Sequence, residues 1–214
     1  ILPGPKRSPF FQHNFAGSNA YILRMLRTFG EGLGVTASAK NYEDAILAAE
    51  EILRSATAVL KVNGLRIDNG NIVGQVQIQN VTGHKFPTAY PSRRAWLHVT
   101  VRDSAGNVVF ESGAYNPDGS ILDNDNDANP AKFEPHYTVL NSPEQVQIYE
   151  AIMVNTEGQV TTRLLRGAAD IKDNRILPLG FEKASASKDI AVYGEALKDS
   201  DFGAGGEILV LAIP

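Results

Sequence analysis

The feature that most limits the fold of this chain is a change of hydrophobic period near residue 57. Before it, apolar residues recur at helical spacing: Ile22, Met25, Leu26 and Phe29 follow the i, i+3, i+4, i+7 rule, with Ser18 or Asn19 placed as cap and Gly30 as stop. A longer helix is expected to open at Asn41. Glu43 and Asp44 fall in its first turn, where the helix dipole favours negative charge, and Tyr42, Ala45, Ile46, Ala49, Ile52, Leu53 and Ala56 form one stripe. After residue 57 the period becomes 2. Ile72, Val76 and Ile78 alternate with Val73, Gln75, Gln77 and Gln79, and Leu97, Val99 and Val101 alternate with Trp96, His98 and Thr100. Asp68-Asn69-Gly70-Asn71 and Ser104-Ala105-Gly106-Asn107 read as hairpin turns, and further strands are expected at 146–152, 190–193 and 208–213. Short strands with Gly, Pro and Asn turns and no alternating helices imply a mainly β fold. The expected architecture is an antiparallel β-sandwich, Ig-like, over 58–214, preceded by an extended arm and two α-helices over 1–57.

With 214 residues the chain is long enough for a full hydrophobic core. Its net charge of −4 removes the basic footprint of nucleic-acid binding, so no nucleic-acid partner is expected. Cysteine is absent, which excludes disulfides, thiolate catalysis, Cys-ligated zinc, iron–sulfur clusters and covalent haem attachment. No apolar run approaches the roughly 20 residues that span a bilayer. The arm before Phe10 carries three prolines with Lys6 and Arg7, a composition suited to lying extended on another surface. It begins without Met, as a processed or excised product would.

Three constellations are candidates for chemistry. In the segment 118–134, Asp118, Asp123, Asp125, Asp127 and Glu134 face Lys132 alone. Asp123, Asp125, Asp127 and Glu134 fall at positions 1, 3, 5 and 12 of a calcium-loop pattern, with Asn129 at 7. Ala128 stands where the turn wants Gly and no flanking helices are expected, so two readings remain: a calcium-stabilised loop, or a solvated acidic loop held by Asx-turns. The four histidines, His13, His84, His98 and His136, show no zinc spacing; His98 reads as a packing residue and His136 as one that orders the acidic loop. His13, among Phe10, Phe11 and Phe15, and His84, in Gly83-His84-Lys85-Phe86-Pro87, are each placed to present an imidazole to an iron or to serve as ordinary loop residues. Arg93-Arg94 suits either carboxylates of another molecule or an internal bridge. Nucleophile-elbow, phosphate-loop and dinucleotide motifs are missing, and a hydrolytic carboxylate pair is a matter of measured separation.

Asn80 to Thr88, followed by Tyr90-Pro91-Ser92-Arg93-Arg94-Ala95-Trp96-Leu97, resembles the non-haem C-terminal region of bacterial multihaem c-type cytochromes. Phe110-Glu111-Ser112-Gly113, Glu134-Pro135-His136-Tyr137, Gln145 to Glu150, Lys172-Asp173-Asn174-Arg175 and Gly180-Phe181 are similar to blocks of the same family, as is His13-Asn14-Phe15-Ala16-Gly17. The resemblance implies an exported electron-transfer assembly, periplasmic or extracellular, in which a haem-bearing portion precedes a β-rich one. This chain lacks C-x-x-C-H and so holds no haem c covalently. The implied role is that of a non-catalytic docking or structural part, with the arm and helices packing on a haem-bearing portion or subunit and His13 and His84 as distal ligands to haem bound elsewhere; oligomerisation is left open. The alternative is a calcium-dependent module that binds a surface or polysaccharide and has no redox role.

Overall fold

The computed structural model describes residues 16–88, 93–203 and 205–214. The chain divides into two compact units, Ile1–Ala56 and Thr57–Pro214.

In the first unit, α1 (Ala20–Phe29) starts as expected, with Asn19 Oδ1 accepting the Ile22 amide at 3.0 Å. The helix α2 (Ala39–Ser55) differs from expectation at its cap. Ser38 takes that position and its Oγ accepts from the Asn41 amide, because Ser38 places a short acceptor three residues ahead of a free donor, which Asn41 within the helix cannot do. Tyr42, Ile46 and Ala49 are buried along one face of α2, and Arg24–Glu50 and Arg27–Glu43 ion pairs join the two helices. The stripe of α1 is largely uncovered, with Ile22, Met25 and Phe29 all exposed.

The second unit is mainly β. Its elements are β1 (Ala58–Asp68), β2 (Asn71–Asn80), β3 (Ala95–Trp96), β4 (Val99–Arg102), β5 (Val108–Ser112), a single turn α3 (Asp125–Ala128), β6 (Val139–Leu140), β7 (Ile148–Tyr149), β8 (Ala151–Val154), β9 (Val160–Thr161), β10 (Ala169–Asp173) and β11 (Gly206–Ile213). The principal sheet runs β1-β2-β11-β6, a three-stranded sheet runs β10-β8-β9, and β3-β7 and β4-β5 are two-stranded pairs. All pairings are antiparallel except β11 with β6.

The first turn is set by Asn69 (φ 50°) and Gly70 (φ 86°), which close Asp68 opposite Asn71; two successive positive φ values match the right-handed twist of a hairpin. The expected single strand through Trp96 divides at Leu97-His98. Ala95 and Trp96 pair with β7, and the chain then passes to β5, so one alternating stretch serves two pairs. The segment 190–193 forms no strand and contributes only a bridge between Tyr193 and Asp173. Val76 and Ile78 of β2 and Leu209, Leu211 and Ile213 of β11 form the core with Leu140, Tyr149, Ile176 and Phe110.

Two neighbours of β2 meet different fates. Directly opposed residues on antiparallel strands share a face. Leu60 opposes Ile78, Val62 opposes Val76 and Ile67 opposes Ile72, so β1 carries an apolar row on the core-facing side. That row is uncovered: Leu60, Val62, Leu65 and Ile67 are 55%, 52%, 61% and 79% exposed. No described helix is long and apolar enough to cross a membrane.

Candidate functional site

The His84 loop is built on Asn80, the last residue of β2. Asn80 Nδ2 donates to the carbonyls of His84 (2.7 Å) and Ile176 (2.9 Å), while its Oδ1 accepts from the Thr82 amide at 2.8 Å. Lys85 turns inward, its Nζ donating to Asp173 Oδ2 (2.7 Å) and the Ala191 carbonyl (2.9 Å). Arg175 forks onto the same carboxylate at 2.9 and 2.7 Å. Burial pulls the Lys85 ammonium down, against the upward pull of Asp173. These ties fix the backbone on either side of His84, whose side chain remains exposed.

Its tautomer follows from the neighbours of Nδ1. The Thr82 hydroxyl lies 3.1 Å from Nδ1 and has one proton, for which Asn80 Oδ1 (2.8 Å) and the His84 carbonyl (2.9 Å) are both acceptors. The second neighbour of Nδ1 is the Lys85 carbonyl at 3.3 Å, also an acceptor. The ring proton therefore belongs on Nδ1 and the lone pair on Nε2, the arrangement of a histidine oriented for a metal. Beside it lies a cavity of about 330 Å³ lined by Lys85, Thr88, Arg175, Pro178, Phe181 and Ile190. His13 lies outside the described residues.

The acidic loop is organised by its own hydrogen bonds. Asp127 accepts from Arg94 (2.7 Å) and from the Ile121 amide (2.7 Å), which outweigh partial burial and hold its carboxyl below the usual range. Arg94 is thus an internal bridge. Glu134 accepts from the Asp125 amide (2.9 Å) and the Tyr137 hydroxyl (2.7 Å), so burial and this carboxylate push the phenol up. Asp123 and Asp125 line a hollow of about 670 Å³ with Asp127, Glu134, Tyr137 and Glu144. Among the described residues, no three of these carboxylates bring oxygens within 4.8 Å of one another. The expected twelve-residue loop also contains α3, capped by Asn124, where a calcium loop would be extended.

The set that does converge is one the sequence does not advertise. His136 Nε2 lies 3.2 Å from Asp199 Oδ2 and 3.6 Å from Glu207 Oε1, and both His136 and Glu207 side chains are wholly buried. His136 therefore departs from its expected role in the acidic loop; its ring packs edge-on to Phe202 at 5.1 Å. His98 is exposed and 2.8 Å from Glu111, and its ring packs edge-on to Tyr115 at 6.0 Å, the packing role expected of it.

Two amides decide the chemistry of His136. Gln147 Oε1 accepts from the Tyr137 amide (2.9 Å), which turns Nε2 toward Glu207 Oε1 (2.9 Å) and His136 Nδ1 (3.2 Å). Asn174 Oδ1 accepts from the Glu150 amide (2.9 Å), which turns Nδ2 toward the Ile148 carbonyl (2.8 Å) and the same Nδ1 (3.1 Å). Two donors face Nδ1, so it carries the lone pair and Nε2 carries the proton. A metal ion would need the Nε2 lone pair, so His136, Asp199 and Glu207 form a hydrogen-bonded cluster and not a metal centre. Burial lowers the imidazole below its free value of 6.5, against the pull of Asp199. Alongside, Lys172 Nζ is held by Glu150 (2.9 Å) and the Ile148 carbonyl (3.0 Å).

Among the described residues, the fold and these sites define a cysteine-free, β-rich module with an exposed His84 imidazole held at Nδ1 and an exposed apolar row on β1. Compared with protein-family models, curated proteins and solved structures, the chain finds no match.

Proposed function

We propose that this chain is the haem-free, non-catalytic docking part of an exported multihaem cytochrome assembly, periplasmic or extracellular, with 58–214 folded as a two-layer, Ig-like sandwich. The observation that carries the reading is the uncovered core-facing row of β1. An exposed apolar row of this length on an edge strand marks a surface that another chain or portion covers. The uncovered stripe of α1 has the same meaning.

A haem held elsewhere fits the residues around His84 and supplies the electron-transfer chemistry when bound. His84 would hold the iron through Nε2, its ring kept in orientation by Thr82 and the Lys85 carbonyl. Phe181, Pro178 and Ile190 provide apolar surface beside it. His13 is proposed as a second ligand on the strength of the family resemblance.

The alternative, a calcium-dependent binding module, finds less support. Asp127 and Glu134 are engaged by protein donors, which leaves Asp123 and Asp125 as the carboxylates available to a cation. In the haem-loaded assembly, His84→Ala is expected to convert one haem from six-coordinate low spin toward high spin and to shift its reduction potential. Unchanged spectra and potentials in both His84→Ala and His13→Ala would remove the ligand role, and failure of the chain to associate with any haem-bearing portion would remove the docking role.

A further inference from the structure

Glu207 occupies a core position of β11. It opposes Ile78 and is in phase with Leu209, Leu211 and Ile213, where alternation calls for an apolar side chain. Its Oε1 accepts from Gln147 Nε2, but Oε2 meets no hydrogen-bond donor. The Tyr149 hydroxyl beside it is equally buried and makes no hydrogen bond of ordinary geometry, although Glu207 and Gln147 are its polar neighbours. A bare carboxylate here would be a buried charge with half its acceptor capacity unmet, a costly state. The Tyr149 hydroxyl keeps its own proton, which, donated to Oε2, would favour the charged carboxylate. Burial of the charge outweighs this, so a proton on Oε2 directed to the Tyr149 oxygen is the state the surroundings favour.

The surrounding charges favour that proton. From the segment after the Gly194–Leu197 turn, Asp199 and Asp201 both oppose ionisation of Glu207. From β10, Lys172 is committed to Glu150 and the Ile148 carbonyl, and from the segment before β6, His136 is neutral and Glu134 is bound to Tyr137 and the Asp125 amide. Lys183 is directed to the carbonyls of Ala196 and Asp199.

We propose that Glu207 is a proton-operated latch on the C-terminal strand: protonated and directed to the Tyr149 oxygen in the folded chain, it holds the start of β11 against β2, and loss of that proton loosens the pairing there. The inference goes beyond the docking role and does not depend on it. Burial, reinforced by Asp199 and Asp201, pushes the Glu207 carboxyl up to about 8. Because that value exceeds the unfolded 4.5, the stabilisation is full below 4.5, is lost as pH rises to about 8 and then levels off. Lys85 and Lys172, pulled down by burial, act with the opposite sign, and so does His136 below 6.5.

Glu207→Gln reproduces the protonated shape without the titration. In urea unfolding from pH 5 to 9, the ratio of wild-type to variant unfolding constants is expected to rise by up to about tenfold per pH unit and to become constant above pH 8. Amide exchange at 207–209 is expected to be faster in the wild type than in the variant at pH 8 and equal at pH 5. Parallel stability curves, or equal exchange at both pH values, would overturn the latch. Should the variant fail to fold, a carbon-detected carboxyl titration of the wild type decides: one glutamate with its midpoint near 8 supports the proposal, and all glutamates titrating below pH 6 contradict it.

Discussion

β1 and β11 flank β2 in one sheet and both turn apolar side chains to the same side, yet β11 is sealed and β1 is bare. Leu209 and Ile213 are within 1% of complete burial, whereas Leu60 and Ile67 are more than half exposed. Alternation therefore tells which side of a strand is apolar, and only the layer above tells whether it is core. The apolar side of β11 is packed in one core cluster with Tyr149, Ile176 and Phe110. The apolar row of β1 is exposed instead, and the proposed docking role rests on that contrast.

The largest expected effect separates the two strands. Leu209→Ala removes a fully buried side chain and is expected to cost about 2–5 kcal/mol in urea unfolding, while Leu60→Ala in the isolated chain is expected to stay within about 0.5 kcal/mol. Equal costs would show that the β1 row is already core. Next comes the pH response of the covered side. His136 is neutral when folded, so its contribution is present above 6.5 and is lost as pH falls toward its lowered folded value. In the wild type the opposite slope of Glu207 offsets that loss between pH 5 and 6.5. In Glu207→Gln the offset is gone, and stability is expected to fall on acidification by up to about tenfold in the unfolding constant per pH unit. A smaller effect on folding but a decisive one on association is expected from Leu60→Asp: an unfolding midpoint close to wild type, with loss of retention on the haem-bearing portion in size-exclusion chromatography.

Part of this contrast is legible in the sequence and part is not. The alternation of β2 and β11, the Asn19 cap and the Asn69-Gly70 turn depend on local spacing, and they appear where expected. β1 escapes the pattern because a bulge between Asn63 and Arg66, with Gly64 at φ 61°, shifts its apolar residues from even to odd positions. The Ser38 cap was hidden by the equally suitable Asn41 three residues on. His136, Gln147, Asn174, Asp199 and Glu207 come from segments up to about 70 positions apart, and no spacing rule joins them. The one local sign is that Glu207 and Gln147 stand in apolar runs where a polar side chain needs a buried partner. In the acidic loop, spacing alone suggested a shared cation, whereas Arg94 and backbone amides supply donors that a one-dimensional pattern cannot reveal.

The absence of cysteine makes the central claim directly measurable. Single variants Leu60→Cys, on the apolar row, and Val59→Cys, on the opposite face of β1, can be labelled with a thiol reagent in the isolated chain and in the haem-loaded assembly. Both should react readily in isolation. In the assembly the account predicts strong protection of the thiol at position 60 and continued reaction at position 59; equal reactivity at position 60 with and without the haem-bearing portion would contradict it.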